Sequence, residues 1–187
     1  MNSYDCLIVF SKMKSSDPLL DCIKNTYESS FPEEERRAFS LVHKLIIDKP
    51  AFTVYALFQN DKYIGFITAW TFESFVYIEH FAIELIYRNS GVGAKVMQQF
   101  LLNKQSIVLE VEEPKDDLSR RRVNFYARLG FVLDSHLYFQ PSYHKDGDKV
   151  KMRLMSYGDI NMEHSFDKVC NILYENVYGI KKRPSQN

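Results

Sequence analysis

The feature that most constrains this chain is a change of period on either side of one polar turn. Phe75 to Glu84 reads as a strand rich in aromatic and β-branched residues. Arg88-Asn89-Ser90-Gly91-Val92-Gly93 then makes a glycine-bearing turn. From Gly91 to Leu102 the apolar residues Val92, Val96, Phe100 and Leu101 fall on overlapping faces of a helix. A strand that passes through a tight turn straight into a helix needs a sheet with helices laid against it, which is an α/β arrangement.

The rest of the chain fits that frame. Tyr4 to Phe10 reads as a first strand. Asp17 before Pro18 reads as a helix N-cap with proline at the first helical position, followed by Leu19, Leu20, Ile23 and Tyr27 at helical spacing. Ser30 with Glu33 resembles a capping box that opens a second helix running to about Asp48 and stopped by Pro50. Ala51 to Gln59, Lys62 to Phe72 and Phe75 to Glu84 form an antiparallel meander, with Asn60-Asp61 as its first turn. After the glycine turn and its helix come a buried strand at Ile107 to Val111 and a helix from Leu118 to Leu129 closed by Gly130. Strands at Phe131 to Gln140 and Val150 to Met155 flank a polar loop containing Gly147. An amphipathic helix at about 160–178, marked by Phe166, Val169, Cys170, Leu173, Tyr174 and Val177, is stopped by Gly179. Lys181 onward reads as a frayed tail. With no repeat, low-complexity tract or linker, residues 1–187 read as one domain.

Bulk composition excludes several classes. Lys plus Arg equals 24 and Asp plus Glu equals 24, so the formal net charge is zero, where a nucleic-acid binder carries a basic excess. Cys6, Cys22 and Cys170 show neither disulfide nor zinc spacing and read as buried free thiols in a reducing compartment. His43, His80, His136, His144 and His164 show no ligand spacing, so no metal is expected. The N-terminal residues lack a secretory pattern and no apolar run is long enough to span a membrane, which predicts a cytoplasmic protein.

The turn itself points to an anion. A helix N-terminus offers unpaired N–H groups and the positive end of the macrodipole. Glycines let a pyrophosphate approach the backbone, and Arg88 adds a candidate charged contact. The P-loop pattern fails for want of Gly-Lys-Ser/Thr, and the dinucleotide fingerprint needs one more glycine and an early βαβ unit. Taken alone, the turn reads equally as a phosphate cradle or as an ordinary strand-to-helix connection.

Two motifs together resemble the GNAT superfamily of acetyl-CoA-dependent N-acetyltransferases. Arg88 to Gly93 matches the family pattern Arg/Gln-x-x-Gly-x-Gly/Ala. The upstream Phe81-Ala82-Ile83 is similar to the family strand before it. Asn124-Phe125-Tyr126-Ala127-Arg128-Leu129-Gly130-Phe131 resembles the second motif, in which an aromatic-Tyr pair precedes Gly-Phe. The resemblance covers roughly 51–155 and departs in two places. Leu85 stands where a proline is common, and the asparagine often found ahead of the second motif has Ser119 as its nearest counterpart. It implies a three-layer α/β (α+β) fold with a central mixed sheet of about seven strands, splayed between the fourth and fifth and flanked by helices. It also implies acetyl-CoA as co-substrate, held by Phe81, Ala82, Ile83, Arg88, Asn89, Ser90, Gly91, Val92, Gly93, Ala94, Ser119 and Tyr126. The acceptor, a small-molecule or peptide amine, enters from the other side of the splay.

Within that frame Tyr126 is the candidate acid for the departing thiolate, its alternative being a packed aromatic. Glu79 is the candidate base. Strand alternation puts it on one face with Tyr77, Phe81 and Ile83, where burial would raise its pKa; a salt bridge is the alternative. His80 then faces the opposite side as a core histidine. Glu33-Glu34-Glu35 reads either as an acidic rim for a cationic amine or as charges complementing a helix dipole. Arg120-Arg121-Arg122 reads mainly as a solvated helix face. A homodimer is compatible with the exposed strands and the added helix. The rival readings are a non-catalytic acyl-CoA-binding module and a nucleotide-binding domain.

Overall fold

The computed structural model describes residues 7–102, 106–144 and 147–180. In chain order the elements are β1 (Val9–Lys12), α1 (Leu20–Ser30), a 3-10 turn (Glu33–Glu35), α2 (Phe39–Asp48), β2 (Phe52–Gln59), β3 (Lys62–Thr71), β4 (Val76–Ile83) and a second 3-10 turn (Leu85–Tyr87). They continue with α3 (Val92–Leu101), β5 (Ser106–Glu112), α4 (Asp117–Arg128), β6 (Val132–Leu133), β7 (Tyr138–Gln140), β8 (Val150–Gly158) and α5 (Met162–Asn176). One mixed sheet runs β1-β2-β3-β4-β5-β8-β6, with β7 also paired to β8. Among the described residues only the β4–β5 pair is parallel.

Helices cover both faces. Leu20, Ile23 and Tyr27 of α1, Phe39 and Val42 of α2, and Phe166, Val169 and Leu173 of α5 pack with Val54, Phe66, Trp70, Tyr77 and Val108 on one face. Val92, Val96, Met97 and Phe100 of α3 and Tyr126 of α4 pack with Ile64, Ile67, Ile78, Ile107 and Leu109 on the other. These are the alternate residues of each strand, as the pleat requires.

Several boundaries move for local reasons. Asp17-Pro18 does not cap α1. The helix starts at Leu20 without a side-chain cap, and Asp17 and Pro18 supply carbonyls to a lead-in turn that accepts from Leu20 and Asp21. The Ser30/Glu33 capping box does not form, because the chain leaves α1 extended at Phe31 and Pro32, and α2 begins only at Phe39. Among the described residues the sheet has eight strands. The stretch expected as one strand from Phe131 to Gln140 breaks where the Asp134 carboxylate accepts from the His136 N–H at 2.9 Å and turns the chain. Asn60 and Asp61 both take positive φ, 51° and 59°, so the hairpin forms without glycine. Cys22 is exposed, not buried, while Cys170 is buried; Cys6 and the tail from Lys181 lie outside the described residues. Among the described residues no group of His, Cys, Asp or Glu is placed to hold a metal ion, and no helix is long and apolar enough to cross a membrane.

Two irregularities in β4 position the site. Its register with β3 jumps from Thr68↔His80 to Ala69↔Ile78, so Glu79 has no partner and forms a β-bulge. Alternation is broken there. Glu79 and His80 both lie on the α1/α2 face with Tyr77 and Ala82, while Phe81 and Ile83 lie on the α3 face. This corrects the shared face read from the sequence and the opposite placement of His80. In addition, β4 and β5 pair only through Val76↔Ile107, Tyr77↔Val108 and Ile78↔Leu109, and then part. The first residue past the last pair is Glu79 on one strand and Glu110 on the other.

Gly65 of β3 anchors the end of β4. At φ 153° a Cβ there would stand 2.2 Å from the Ala82 carbonyl oxygen, which is backbone and cannot yield. Gly65→Ala is expected to cost about 1–3 kcal/mol and to lower the melting temperature by roughly 2–12 °C. An unchanged thermal unfolding midpoint would refute the close approach.

Candidate functional site

The turn after β4 is built to leave donors open. Asn89 takes φ 61° and Gly91 takes φ 83°, a left-handed conformation that glycine adopts without strain. No side chain caps α3, and its first intrahelical bond runs from the Lys95 N–H to the Gly91 carbonyl at 3.2 Å. The N–H groups of Val92, Gly93 and Ala94 therefore precede any helical acceptor and face out of the helix end. A Cβ on Gly91 would meet nothing within 4 Å, so the space above the turn is open to a bulky anion. Gly93 faces Ile83, Phe81 and Phe125, whose nearest atoms would lie 3.6–3.9 Å from an added Cβ.

Side chains around the turn brace it. The Arg88 Nε donates to the Ile83 carbonyl at 2.7 Å and its Nη2 donates to Ser30 Oγ at 2.8 Å. Arg88 thus ties the end of β4 to the end of α1, and the open donors at the turn are backbone groups. Ser90 Oγ donates to the Tyr87 carbonyl at 2.6 Å. Ser119 is buried as the third residue of α4, where it closes a capping box with Asp116, its N–H donating to Asp116 Oδ1 at 2.8 Å. Arg120 pairs with Asp117 and Arg122 with Glu112, while Arg121 is exposed.

Past the last β4–β5 pair the gap is lined by carboxylates and phenols. Glu79 accepts from the Arg37 guanidinium, from Trp70 Nε1 at 2.9 Å and from the Tyr143 hydroxyl at 3.1 Å. Burial alone would raise its pKa, but Arg37 beside it, helped by the Trp70 hydrogen bond, holds it below the usual carboxylate range. The upward shift expected from burial is therefore reversed by a partner that the sequence does not reveal. Arg37 also stacks over the Tyr143 ring at 4.6 Å. His80 is a satisfied core histidine: it bonds Thr68 Oγ1 and the Glu35 carbonyl, both at 3.2 Å, and burial pushes it down to about 4, so it stays neutral.

Glu110 was not singled out by sequence. It accepts from Tyr138, from Tyr178 at 2.9–3.0 Å and from Gln140 at 2.6 Å. All of these donors are neutral. Burial pushes its pKa up, and the hydrogen bonds pull it back only to about 7. Its signal was present, because one carboxylate interrupts Ile107-Val108-Leu109-Glu110-Val111 just as Glu79 interrupts β4. The 3-10 turn Glu33–Glu35 borders this region, with its backbone carbonyls accepting from His80 and from His144 at 2.9 Å.

Tyr126 occupies the other face of the sheet. It is buried in α4, edge-on to Phe125 and Phe131 with ring centroids 5.0 and 5.4 Å away. Its hydroxyl makes no hydrogen bond to a described residue, and burial pushes its pKa up to about 12. The open turn and Tyr126 thus share the α3/α4 side, and the two carboxylates share the side of α1, α2 and α5.

Comparison with known proteins gives this arrangement a context. A profile described as an acetyltransferase (GNAT) domain matches residues 50–133. A solved structure of a GNAT-family protein from Bacteroides thetaiotaomicron, named as a candidate acetyltransferase, is 34% identical. It superposes with a TM-score of 0.89, the match covering 92% of this chain and 99% of that one. The ribosomal-protein-S18-alanine N-acetyltransferase of Escherichia coli matches at TM-score 0.58 and 15% identity over 83% of this chain and 97% of that one. A GNAT acetyltransferase of Elizabethkingia anophelis, solved with acetyl-CoA bound, matches at 0.56 and 12% over 81% and 98%. The last two show likeness of fold alone. No curated protein matches the chain in sequence.

The buried Arg37–Glu79 pair yields a stability prediction. Removing one partner leaves an uncompensated charge, so Arg37→Met is expected to cost about 3–5 kcal/mol, and Arg37→Met with Glu79→Leu less than the two single changes summed. Because the folded pKa of Glu79 lies below its unfolded value near 4.3, the pair stabilises above that pH and loses its contribution as pH falls through the folded value. Denaturant unfolding of the four proteins as a function of pH checks this. Additive losses with identical acid limbs would contradict it.

Proposed function

Because the chain belongs to the GNAT family of acetyltransferases, we propose that it transfers the acetyl group of acetyl-CoA directly to a primary amine. The observation that carries the reading is the parting of β4 and β5 after Ile78 and Leu109, with an open N–H turn on one side and buried carboxylates on the other. The helix end at Val92, Gly93 and Ala94, reached through Asn89, Ser90 and Gly91, suits the diphosphate of CoA. The edge of β4 from Glu79 to Ile83, which β5 no longer covers, offers backbone groups to the pantetheine arm near Phe81, Ala82 and Ile83. One N–H of that edge would hold the oxyanion that develops at the thioester carbonyl.

Tyr126 acts as the acid. Its hydroxyl has no described partner and its proton is not easily lost, so it stays protonated until the C–S bond breaks and the thiolate takes the proton. Glu79, ionised and bonded to Arg37, Trp70 and Tyr143, orients the acceptor's ammonium electrostatically. Once the ammonium has lost a proton to a base at the gap, its nitrogen attacks the carbonyl carbon, and the C–N bond forms as the C–S bond breaks. The bonded nitrogen sheds a second proton that restores Tyr126, and free CoA and the amide leave. No protein thiol is needed.

Acetyl-CoA at about one hundred times its dissociation constant should stabilise the fold by roughly 2.7 kcal/mol. For a chain of this length that raises the melting temperature by about 5–11 °C. Gly91→Val should abolish the shift, whatever it does to the melting point itself, because a branched side chain would fill the open space above the turn. Absence of any shift in wild type would refute CoA binding. A shift without CoA release across an amine panel would leave a non-catalytic acyl-CoA-binding module.

Tyr126→Phe keeps the ring and deletes the donor. It should lower turnover by ~10²–10⁴ with little change in melting temperature. Acetyl thioesters of more acidic thiols need less protonation and should lose less rate. Equal losses on both thioesters, or none, would remove Tyr126 from the acid's role.

A further inference from the structure

The gap between β4 and β5 holds two carboxylates, and their surroundings give them different work. Glu79 is matched: a guanidinium, an indole N–H and a phenol occupy both of its oxygens. Glu110 stands at the equivalent step of the neighbouring strand, one residue past the last β4–β5 pair, on the same face of the sheet. Its donors are Tyr138 and Gln140 from β7 and Tyr178 from the segment after α5, and among the described residues no cation bonds it. Tyr77 of β4 bonds Tyr178 at 3.4 Å, and the Tyr143 ring lies 5.2 Å from that of Tyr178 while its hydroxyl bonds Glu79. The two carboxylates are therefore joined through phenols, with Arg37 on the Glu79 side. An ionised Glu110 is a buried anion with dipoles around it and no counter-charge among the described residues that bond it, and an arriving ammonium would supply one.

We propose that Glu110 is the proton acceptor for the amine, resting on the acetyl-transfer reading above. The ammonium of the acceptor enters against Glu110 and gives its proton to the carboxylate. The freed lone pair forms the C–N bond to the thioester carbon, and the C–S bond breaks as the thiolate takes a proton from Tyr126 on the opposite face. The second proton, shed by the newly bonded nitrogen, restores Tyr126 through solvent. Glu110 returns its proton to water once the amide has left, so each turnover releases one proton overall. The carboxylate's affinity for that proton, near neutrality, suits the exchange. The groups facing Glu110 are Tyr77, Tyr138, Gln140, Tyr143 and Tyr178, with the Glu79–Arg37 pair beyond them.

The test compares nucleophiles that do and do not need a base. CoA release is followed with n-butylamine, 1,4-diaminobutane and glycinamide, which are mainly ammonium at neutral pH, and with methoxyamine, which is mainly neutral. Glu110→Gln should lower kcat/KM for the ammonium probes by ~10²–10⁴ and for methoxyamine by less than about tenfold. Wild-type kcat/KM with ammonium probes should rise through an acid limb near 7. The variant should lack that limb and keep climbing with pH as solvent supplies free amine. Tyr178→Phe removes a hydrogen bond that favours the ionised carboxylate, so it should move the limb to higher pH, and it carries the test if Glu110→Gln does not fold. Retention of rate and limb in Glu110→Gln, an equal loss for methoxyamine with the acetyl-CoA thermal shift intact, or an unmoved limb in Tyr178→Phe would each overturn the proposal. Wild type that releases CoA with none of the four probes refutes the transfer reading, and this assignment falls with it.

Discussion

A β-sheet satisfies its backbone by pairing each strand, and this one stops pairing in its middle. Only three residue pairs join β4 to β5 before the strands separate. Beyond them, backbone groups that would be obligatory partners in a continuous sheet face a gap, and an unsatisfied buried group costs about as much as a lost hydrogen bond. The bulge at Glu79 sits at the point of parting and turns two successive side chains to the same face. The rest of the architecture accommodates that break. β3 holds the far end of β4 through the close approach at Gly65, and Arg88 fastens the Ile83 carbonyl to α1. The β5 strand keeps its other edge fully paired with β8 over seven residues.

The polar layer beside the gap is arranged by charge. A buried ion pair stabilises only when its remaining hydrogen-bonding capacity is met, and Glu79 has donors beyond Arg37 to meet it. Glu110 is bonded as well, but by groups that carry no charge. Two glutamates at the equivalent step of neighbouring strands thus differ in proton affinity because one has a guanidinium beside it and the other has phenols and an amide. The same contrast applies to His80, which burial keeps neutral inside an aromatic cluster of Tyr27 and Phe31.

Local order was readable from the sequence because local rules decide it. The strand–turn–helix at 81–94, the Gly130 stop at φ 93° and the Gly179 stop at φ 71° follow from periodicity and glycine chemistry. The faces of β4 did not follow, because a bulge is a property of two paired strands and cannot be read from one. Arg37 lies forty-two positions from Glu79, so neither residue reveals the pair that governs the other's ionisation. Glu110 obeys the same rule as Glu79, a lone carboxylate in an apolar strand, but that rule alone does not separate a structural carboxylate from a functional one. Tyr138, Tyr143 and Tyr178 are ordinary aromatic residues in sequence and become a cluster only when β7, its following loop and the end of α5 converge.

The chain turns sharply after α5, where Gly179 takes a left-handed conformation and the Ile180 N–H reaches back to the Tyr174 carbonyl at 2.8 Å. That turn fixes Tyr178 against Glu110. Tyr178 lies outside residues 50–133, and so do Arg37, Tyr138, Gln140 and Tyr143. The open helix end, Tyr126 and both carboxylates lie within them. The molecule is therefore divided along its length: the middle carries the open helix end, Tyr126 and the two glutamates, and the two flanks supply most of the side chains that bond those glutamates. Substitutions in the flanks can reshape the carboxylate side of the gap while the turn at α3 keeps its geometry, so the two ends of the cleft are open to separate alteration.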